Sequence, residues 1–164
     1  MKARLLFVLA VIVVGGAYAR TLRATPSSGF SATTLATARF DEIDLNASTL
    51  PTPFWQAKLK TKGLSDLYVQ SNLWTPGGTT GWHTHPGPSL ITVTSGAVTT
   101  YEGDDPSCTP HVYLAGAGFI DPGDGHVHII RNEGAVDART VAVQLVPAAA
   151  ARRIDVPAPG NCAF

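Results

Sequence analysis

From residue 54 the chain alternates strand, turn and strand. The runs 54–60 and 67–75 read as extended segments; in the second, Leu67, Val69 and Leu73 share one parity and Tyr68 and Trp74 the other. A residue pattern with period two puts alternate side chains on opposite faces of a strand. Pro76-Gly77-Gly78 breaks that run, 82–85 resumes it, and Pro86-Gly87-Pro88 stops it again. The apolar, β-branched stretch 90–94 turns at Ser95-Gly96 into 97–102. Beyond the acidic loop at 103–106 follow 111–114, 119–121, 126–131 and 139–146. Short strands with turn signals every eight to twelve residues or so predict a sandwich or barrel. No part of this region carries a strong helical period, and there is no convincing internal repeat.

The flanks differ from this pattern. Residues 20–50 are rich in Thr, Ala and Ser without sustained alternation, and read as a linker or N-terminal extension ending in a short element near Phe40 to Leu45. At the start, Lys2 and Arg4 precede an unbroken apolar run from Leu5 to Val14, then Gly15-Gly16 and Ala17-Tyr18-Ala19. A basic end, an apolar middle and a small-residue cleavage site make a secretory signal over 1–19. The run is shorter than the roughly 20 residues that span a bilayer, which favours cleavage after Ala19 over retention as an anchor. The expected organisation is a signal peptide at 1–19, a linker at 20–50, a barrel at 51–150 and a tail at 151–164. Such a chain is secreted or held in the cell envelope, and after cleavage it has no membrane segment.

Composition agrees with a turn-rich β domain: of 164 residues 45% are hydrophobic, enough for a core, while Gly (16) and Pro (12) are frequent. Formal net charge is zero, and loss of the signal's two basic residues leaves a slightly acidic protein. No basic run offers a nucleic-acid footprint. Cys108 and Cys162, the two cysteines, both lie in the exported part, in loop-like settings flanked by proline. An even count in an oxidising compartment favours a disulfide tethering the tail, which could add roughly 3–4 kcal/mol. A metal thiolate or a reactive thiol is the alternative.

All five histidines fall between positions 83 and 128, and four make two H-x-H pairs: His83 with His85, and His126 with His128. Residues two apart on a strand project from one face, so each pair could chelate, and neutral imidazole is the commonest metal ligand. One such pair occurs by accident; two in a chain with so few histidines is a stronger signal.

The wider spacing resembles a known family. Gly77, five residues, His83-Thr84-His85, three residues, Ser89, six residues and Gly96 resemble the first motif of the cupin superfamily. Gly116, five residues, Pro122, then Gly125, two residues, His128, three residues and Asn132 resemble its second motif, with one extra residue between Pro122 and Gly125. The likeness covers roughly 67–146, and the chain looks like a small secreted single-domain cupin. It implies an all-β fold, a double-stranded β-helix (jelly-roll) barrel, with a metal inside its mouth. By position, His83, His85 and His128 would be the metal ligands. Ser89 stands where the motif usually has Glu, so the resemblance implies a three-histidine site with open positions. That set favours one divalent transition metal, Fe, Zn, Cu, Ni or Co, over Mg or Ca.

The remaining candidates have plainer readings. His126 is either a fourth nitrogen or a rim residue, and His111 an ordinary strand or loop residue. Asp121 and Asp124 are turn formers beside Pro-Gly, or support for the ligands. Trp74, Trp82, Tyr101 and Phe119 read as barrel lining or core. Gln144 lies in the last strand with its parity open, Asn132 begins a turn, and Arg152 and Arg153 belong to a solvated tail.

Two classes of function fit. The first is an oxygenase-like enzyme whose three-histidine metal acts on a small-molecule substrate, with no obvious general acid or base in the sequence. The second is a non-catalytic barrel that binds a small ligand such as a sugar, or a metal, or serves as an interaction module, with a homodimer as an expected assembly.

Overall fold

The computed structural model describes residues 23–49 and 54–164. The expected signal segment, 1–19, lies outside them. Among the described residues there are strands and no helix. In chain order the strands are β1 (Ser28–Phe40), β2 (Asp44–Thr49), β3 (Trp55–Lys60), β4 (Ser65–Thr79), β5 (His83–Thr84) and β6 (Ser89–Ser95). There follow β7 (Ala97–Glu102), β8 (His111–Leu114), β9 (Gly118–Asp121), β10 (His128–Arg131), β11 (Ala138–Pro147) and β12 (Ile154–Asp155). β2 and β3 pair with each other, and the other ten form one antiparallel sheet.

That sheet curls into a nearly closed barrel with two walls. β1, β4, β11, β6 and β9 make one wall, and β12, β5, β10, β7 and β8 the other. The walls meet where Arg131 of β10 pairs with Thr79 of β4. This is one of the two all-β forms, sandwich or barrel, that the alternating short strands predict, in the jelly-roll arrangement that the resemblance implies.

Alternation decides what faces inward. On β6, Ser89, Ile91 and Val93 are buried while Leu90, Thr92 and Thr94 are exposed. On β11, Ala138, Thr140, Ala142, Gln144 and Val146 are buried. The closed end is apolar: Trp74, Val93, Val98, Ile130 and Ala138 cluster there, with Phe30, Tyr113 and Phe119 packed against them. A second cluster, Trp82, Tyr101 and Ile129, lies on the other side of β10, covered by Val156 and both cysteines. Burial of each large side chain contributes about 1.5–3 kcal/mol, so both faces of β10 are secured. Trp74, Phe119, Trp82 and Tyr101 thus occupy the core roles expected of them, split between the two clusters.

Three expectations need correction. Residues 28–40, expected as linker, are the 13-residue strand β1, paired along β4. Only Phe30 on this strand is even half-buried, so no apolar alternation marks it, and backbone pairing holds it in place. Second, Pro76-Gly77-Gly78 does not end β4. The Gly77 N–H donates to the Asn132 carbonyl, and the Asn132 N–H donates to the Gly78 carbonyl, so the ladder passes from one partner to another. Third, the tail is not merely tethered. Its residues Ile154 and Asp155 pair with Thr84 and His83, and Arg152 and Arg153 are half-buried at the pocket described below.

The disulfide is formed between Cys108 and Cys162, 54 residues apart, and fastens the tail over Trp82 and Tyr101. Replacing both cysteines by serine should lower unfolding free energy by about 3–4 kcal/mol, measured by denaturant titration under oxidising conditions. β1 has its own clasp: Arg39 donates twice to Asp66, at 2.7 and 2.9 Å, and Ala149 N–H donates to the same carboxylate. The Arg39 guanidinium and then the Ala149 N–H hold the Asp66 carboxyl down at about 2. The unfolded carboxyl takes up its proton near pH 4, above the folded one. Its contribution is therefore present above about pH 4 and lost as pH falls towards 2. Melting temperature should decline over that window in the wild type, and more shallowly in Asp66→Asn.

Candidate metal centre

The barrel interior changes character along its length. Moving away from the apolar end, β6 replaces Val93 by Ile91 and then Ser89, and β11 replaces Ala138 by Thr140, Ala142 and then Gln144. At this polar end β5 delivers His83, the loop after it His85, and β10 His128. The three rings lie with centroids 4.4–5.5 Å apart. A ligand atom from each falls within 4.8 Å of the others. His83 pairs directly with His128 across β5 and β10, so the sheet register itself brings the two sequence motifs together.

Each ring on the β5 side is fixed from behind. His83 Nδ1 donates to the Gly81 carbonyl at 2.9 Å. That carbonyl is fixed by its surroundings: a side chain at Gly81, where φ is +69°, would meet the Thr25 and Pro26 carbonyls. Thr25 also accepts the Trp82 N–H through its hydroxyl. His85 Nδ1 lies 2.5 Å from the Arg152 carbonyl, a separation that requires a proton on Nδ1. Gln144 Nε2 lies beside both groups, 2.9 Å from Nδ1 and 3.2 Å from the carbonyl. In its neutral form each ring therefore carries its lone pair on Nε2, the tautomer that binds metals.

The surroundings of His83 and His128 disfavour their protonation. Burial, followed by the nearby charges of His128, Arg153 and His85, drives the His83 imidazole far below its ordinary value. Burial lowers His128 to about 4, against the upward pull of the Asp121 carboxylate. His128 Nδ1 is buried with no hydrogen-bond partner. Three imidazoles, two carbonyl-anchored and one with an orphaned buried nitrogen, have the make-up of a metal site, and the residues fit a dication.

Other candidates fall into place around this cluster. Ser89 is buried on β6 and lines the pocket. Asp121, read as a turn former, is 6% exposed and directly opposite Ser89 across β6 and β9. Its Oδ1 accepts the Gly123 N–H at 3.0 Å, as a turn former would. The turn leaves the carboxylate facing inward, where it joins His126 and His128 in a second group of closely placed ligand atoms. His126 is half-exposed, with Nε2 3.3 Å from Glu102 Oε2, so it sits at the edge of the three-histidine cluster. Burial pushes the Glu102 carboxyl up, partly offset by His126 and His111. His111 itself is exposed at the start of β8, and Asp124 is an exposed turn residue with φ +54°. Asn132 is buried and ties its turn to the core, donating to the Trp74 and Val136 carbonyls. Gln144, whose parity was open, points inward.

The cluster opens onto a pocket of about 140 Å³. Phe30, Trp74, Ile91 and Ile130 line it on the apolar side, and Gln70, Asn72, Arg152 and Arg153 are among its polar lining. Sequence reasoning missed both arginines and Phe30, because the segments that carry them show no period.

No family model and no curated protein matches the chain. Among solved structures it is similar to the polyketide cyclase RemF from Streptomyces resistomycificus, 14% identical over 84% of this chain and 80% of that one, with a TM-score of 0.53. It also aligns with an oxalate oxidase, 23% identical over 50% of this chain, with a TM-score of 0.43. That match takes in less than half (46%) of the oxalate oxidase chain's length. The strand topology and the likeness to RemF show that this chain shares an all-β barrel fold.

Two turns hold Asp121 and His85 together. Gly123 has φ +71°, and a Cβ there would lie 2.4 Å from the Gly87 backbone. Gly125 has φ +80° but open space around it. Alanine at either position incurs the left-handed penalty of about 1–2 kcal/mol. Gly123→Ala should cost measurably more than Gly125→Ala in denaturant unfolding. Equal losses would mean that the close approach to Gly87 is not what holds the turns together.

Proposed function

We propose that this protein is exported and holds one divalent transition metal through His83, His85 and His128, using it on a small organic molecule in the adjoining pocket. The observation that carries the reading is the pair of Nδ1-to-carbonyl hydrogen bonds, which aim two Nε2 atoms at the same space as His128. The metal would come from Fe, Zn, Cu, Ni or Co, and when bound would supply Lewis-acid or redox chemistry. The chain's own residues do the rest. Phe30, Trp74, Ile91 and Ile130 exclude water from one side of the pocket, while Asn72, Thr140 and Gln144 offer hydrogen bonds along the other. About 140 Å³ admits a molecule near the size of benzene.

One observation keeps a non-catalytic reading open. The imidazoles and the carboxylate lining the pocket all belong to the ligand cluster or touch it, so no separate group is placed for proton transfer. A barrel that binds a small ligand or the metal itself, alone or as a homodimer, would need none. Export is supported by the signal-like segment at 1–19 and by the disulfide, which suits an oxidising compartment.

Elemental analysis of protein purified from its native compartment tests the reading. Wild type should carry about one equivalent of a transition metal, and His83→Ala and His128→Ala much less. A wild type that stays metal-free after supplementation sinks it. If metal is present, oxygen uptake or product formation with small organic substrates separates the enzyme from the binding module.

A further inference from the structure

The serine at position 89 suggests that the site lacks a carboxylate. The sheet register says otherwise. Ser89 of β6 and Asp121 of β9 are direct cross-strand partners, both buried and both on the pocket wall. Directly opposite residues on antiparallel strands carry their Cβ atoms about 4.5–5.5 Å apart and on one face. A carboxylate at 121 therefore reaches nearly the space that one at 89 would fill.

Its contacts point the same way. Oδ1 is satisfied by the Gly123 N–H, whereas Oδ2 is buried with no hydrogen-bond partner. An unpaired carboxylate oxygen is costly to bury. No lysine or arginine among the described residues forms an ion pair with this carboxylate; Oδ2 lies 3.7 Å from His85 Nε2, and the other oxygen, Oδ1, lies 3.8 Å from His128 Nδ1. These separations are too long for hydrogen bonds. The Oδ2–His85 Nε2 separation suits donors that share an ion, since atoms each about 2.1 Å from one metal lie roughly 3–4 Å apart at common coordination angles.

We propose that Asp121 supplies, from the neighbouring strand, the carboxylate ligand that position 89 lacks, giving a donor set of three histidines and one aspartate. The assignment rests on the metal reading above and deepens it. Asp121 Oδ2 is the ligating atom, Oδ1 stays with Gly123, and Ser89 leaves the room that the aspartate occupies.

Cobalt(II) is the probe. Wild type, Asp121→Asn, Asp121→Ala, the double variant Ser89→Glu/Asp121→Ala, and His83→Ala are each titrated with Co²⁺ against a chelator, with the visible bands recorded. Near-ultraviolet circular dichroism checks the fold; Asp121→Asn retains an acceptor for Gly123 and is the variant expected to fold normally. Asp121→Asn and Asp121→Ala should bind Co²⁺ at least ~10-fold more weakly, with shifted bands that report a changed ligand set. Restoring a carboxylate at 89 should recover most of the affinity and the band positions. Unchanged bands with affinity within about threefold of wild type, or no recovery in the double variant, overturn the role of Asp121 alone. Wild type that takes up no Co²⁺, or takes it up no better than His83→Ala, overturns the three-histidine site, and this assignment with it.

Discussion

A histidine on a strand has two ring nitrogens and a freely chosen tautomer, and the chemistry open to this barrel depends on how that choice is made. At His83 and His85 it is made by backbone carbonyls. Gly81 and Arg152 each accept from Nδ1, which fixes ring rotation and leaves Nε2 unprotonated on the inner side. Neither carbonyl belongs to a regular strand, so each needs its own support. Gly81 is pinned between the 25–26 segment and the Thr80 hydroxyl. Arg152 is held in a tail that pairs with β5, is covalently fixed at Cys162, and stacks its guanidinium 4.5 Å over Tyr68. The two ends of the described chain thus meet at the ligand cluster, and Ala24 even bridges to Pro157.

The barrel supplies the second condition, a graded interior. Polar groups can be buried only when paired, and the strands arrange this step by step. Fully buried Thr140 receives a hydrogen bond from Asn72 across β11 and β4, so the first polar layer above the apolar end is internally satisfied. One layer further, the atoms without partners accumulate: Asp121 Oδ2, His128 Nδ1 and Gln144 Oε1. They gather where β6, β9, β10 and β11 present their inward residues at the same level. Three such atoms at one level of the barrel, beside the three histidines, mark where a bound group belongs.

Much of this was legible in sequence, and the rest was hidden for identifiable reasons. The period-two runs and turn residues predicted a sandwich or barrel because β6 and β11 alternate cleanly, and the resemblance chose the barrel. The H-x-H spacing placed His83 and His85 on one face, and the resemblance to the second cupin motif implied His128 as their partner. β1 was missed because almost nothing on it is buried, so selection for alternation leaves no trace. Arg152 was missed as a site residue because its contribution to His85 is a carbonyl, which every residue type possesses. Asp121 was discounted because Asp-Pro-Gly is what a turn looks like; it is a turn, and the side chain serves the turn with one oxygen only. Gln144 needed the register of β11 against β6, which no single strand's pattern contains.

The same gradient constrains how any small molecule would sit in the pocket. Its apolar part belongs against Trp74, Ile91 and Ile130, because water there would find few partners. Its polar part then lies at the level of Gln144 and the histidines. Arg153 contributes less than its position suggests: its guanidinium is already engaged with Asp155 and the Thr80 carbonyl. Its charge still reaches His83 and helps keep that imidazole unprotonated. The tail therefore affects the site in two ways, by a carbonyl that orients one imidazole and by a guanidinium that disfavours protonation of another. Both keep nitrogen lone pairs available, and both act without any tail side chain having to touch a ligand.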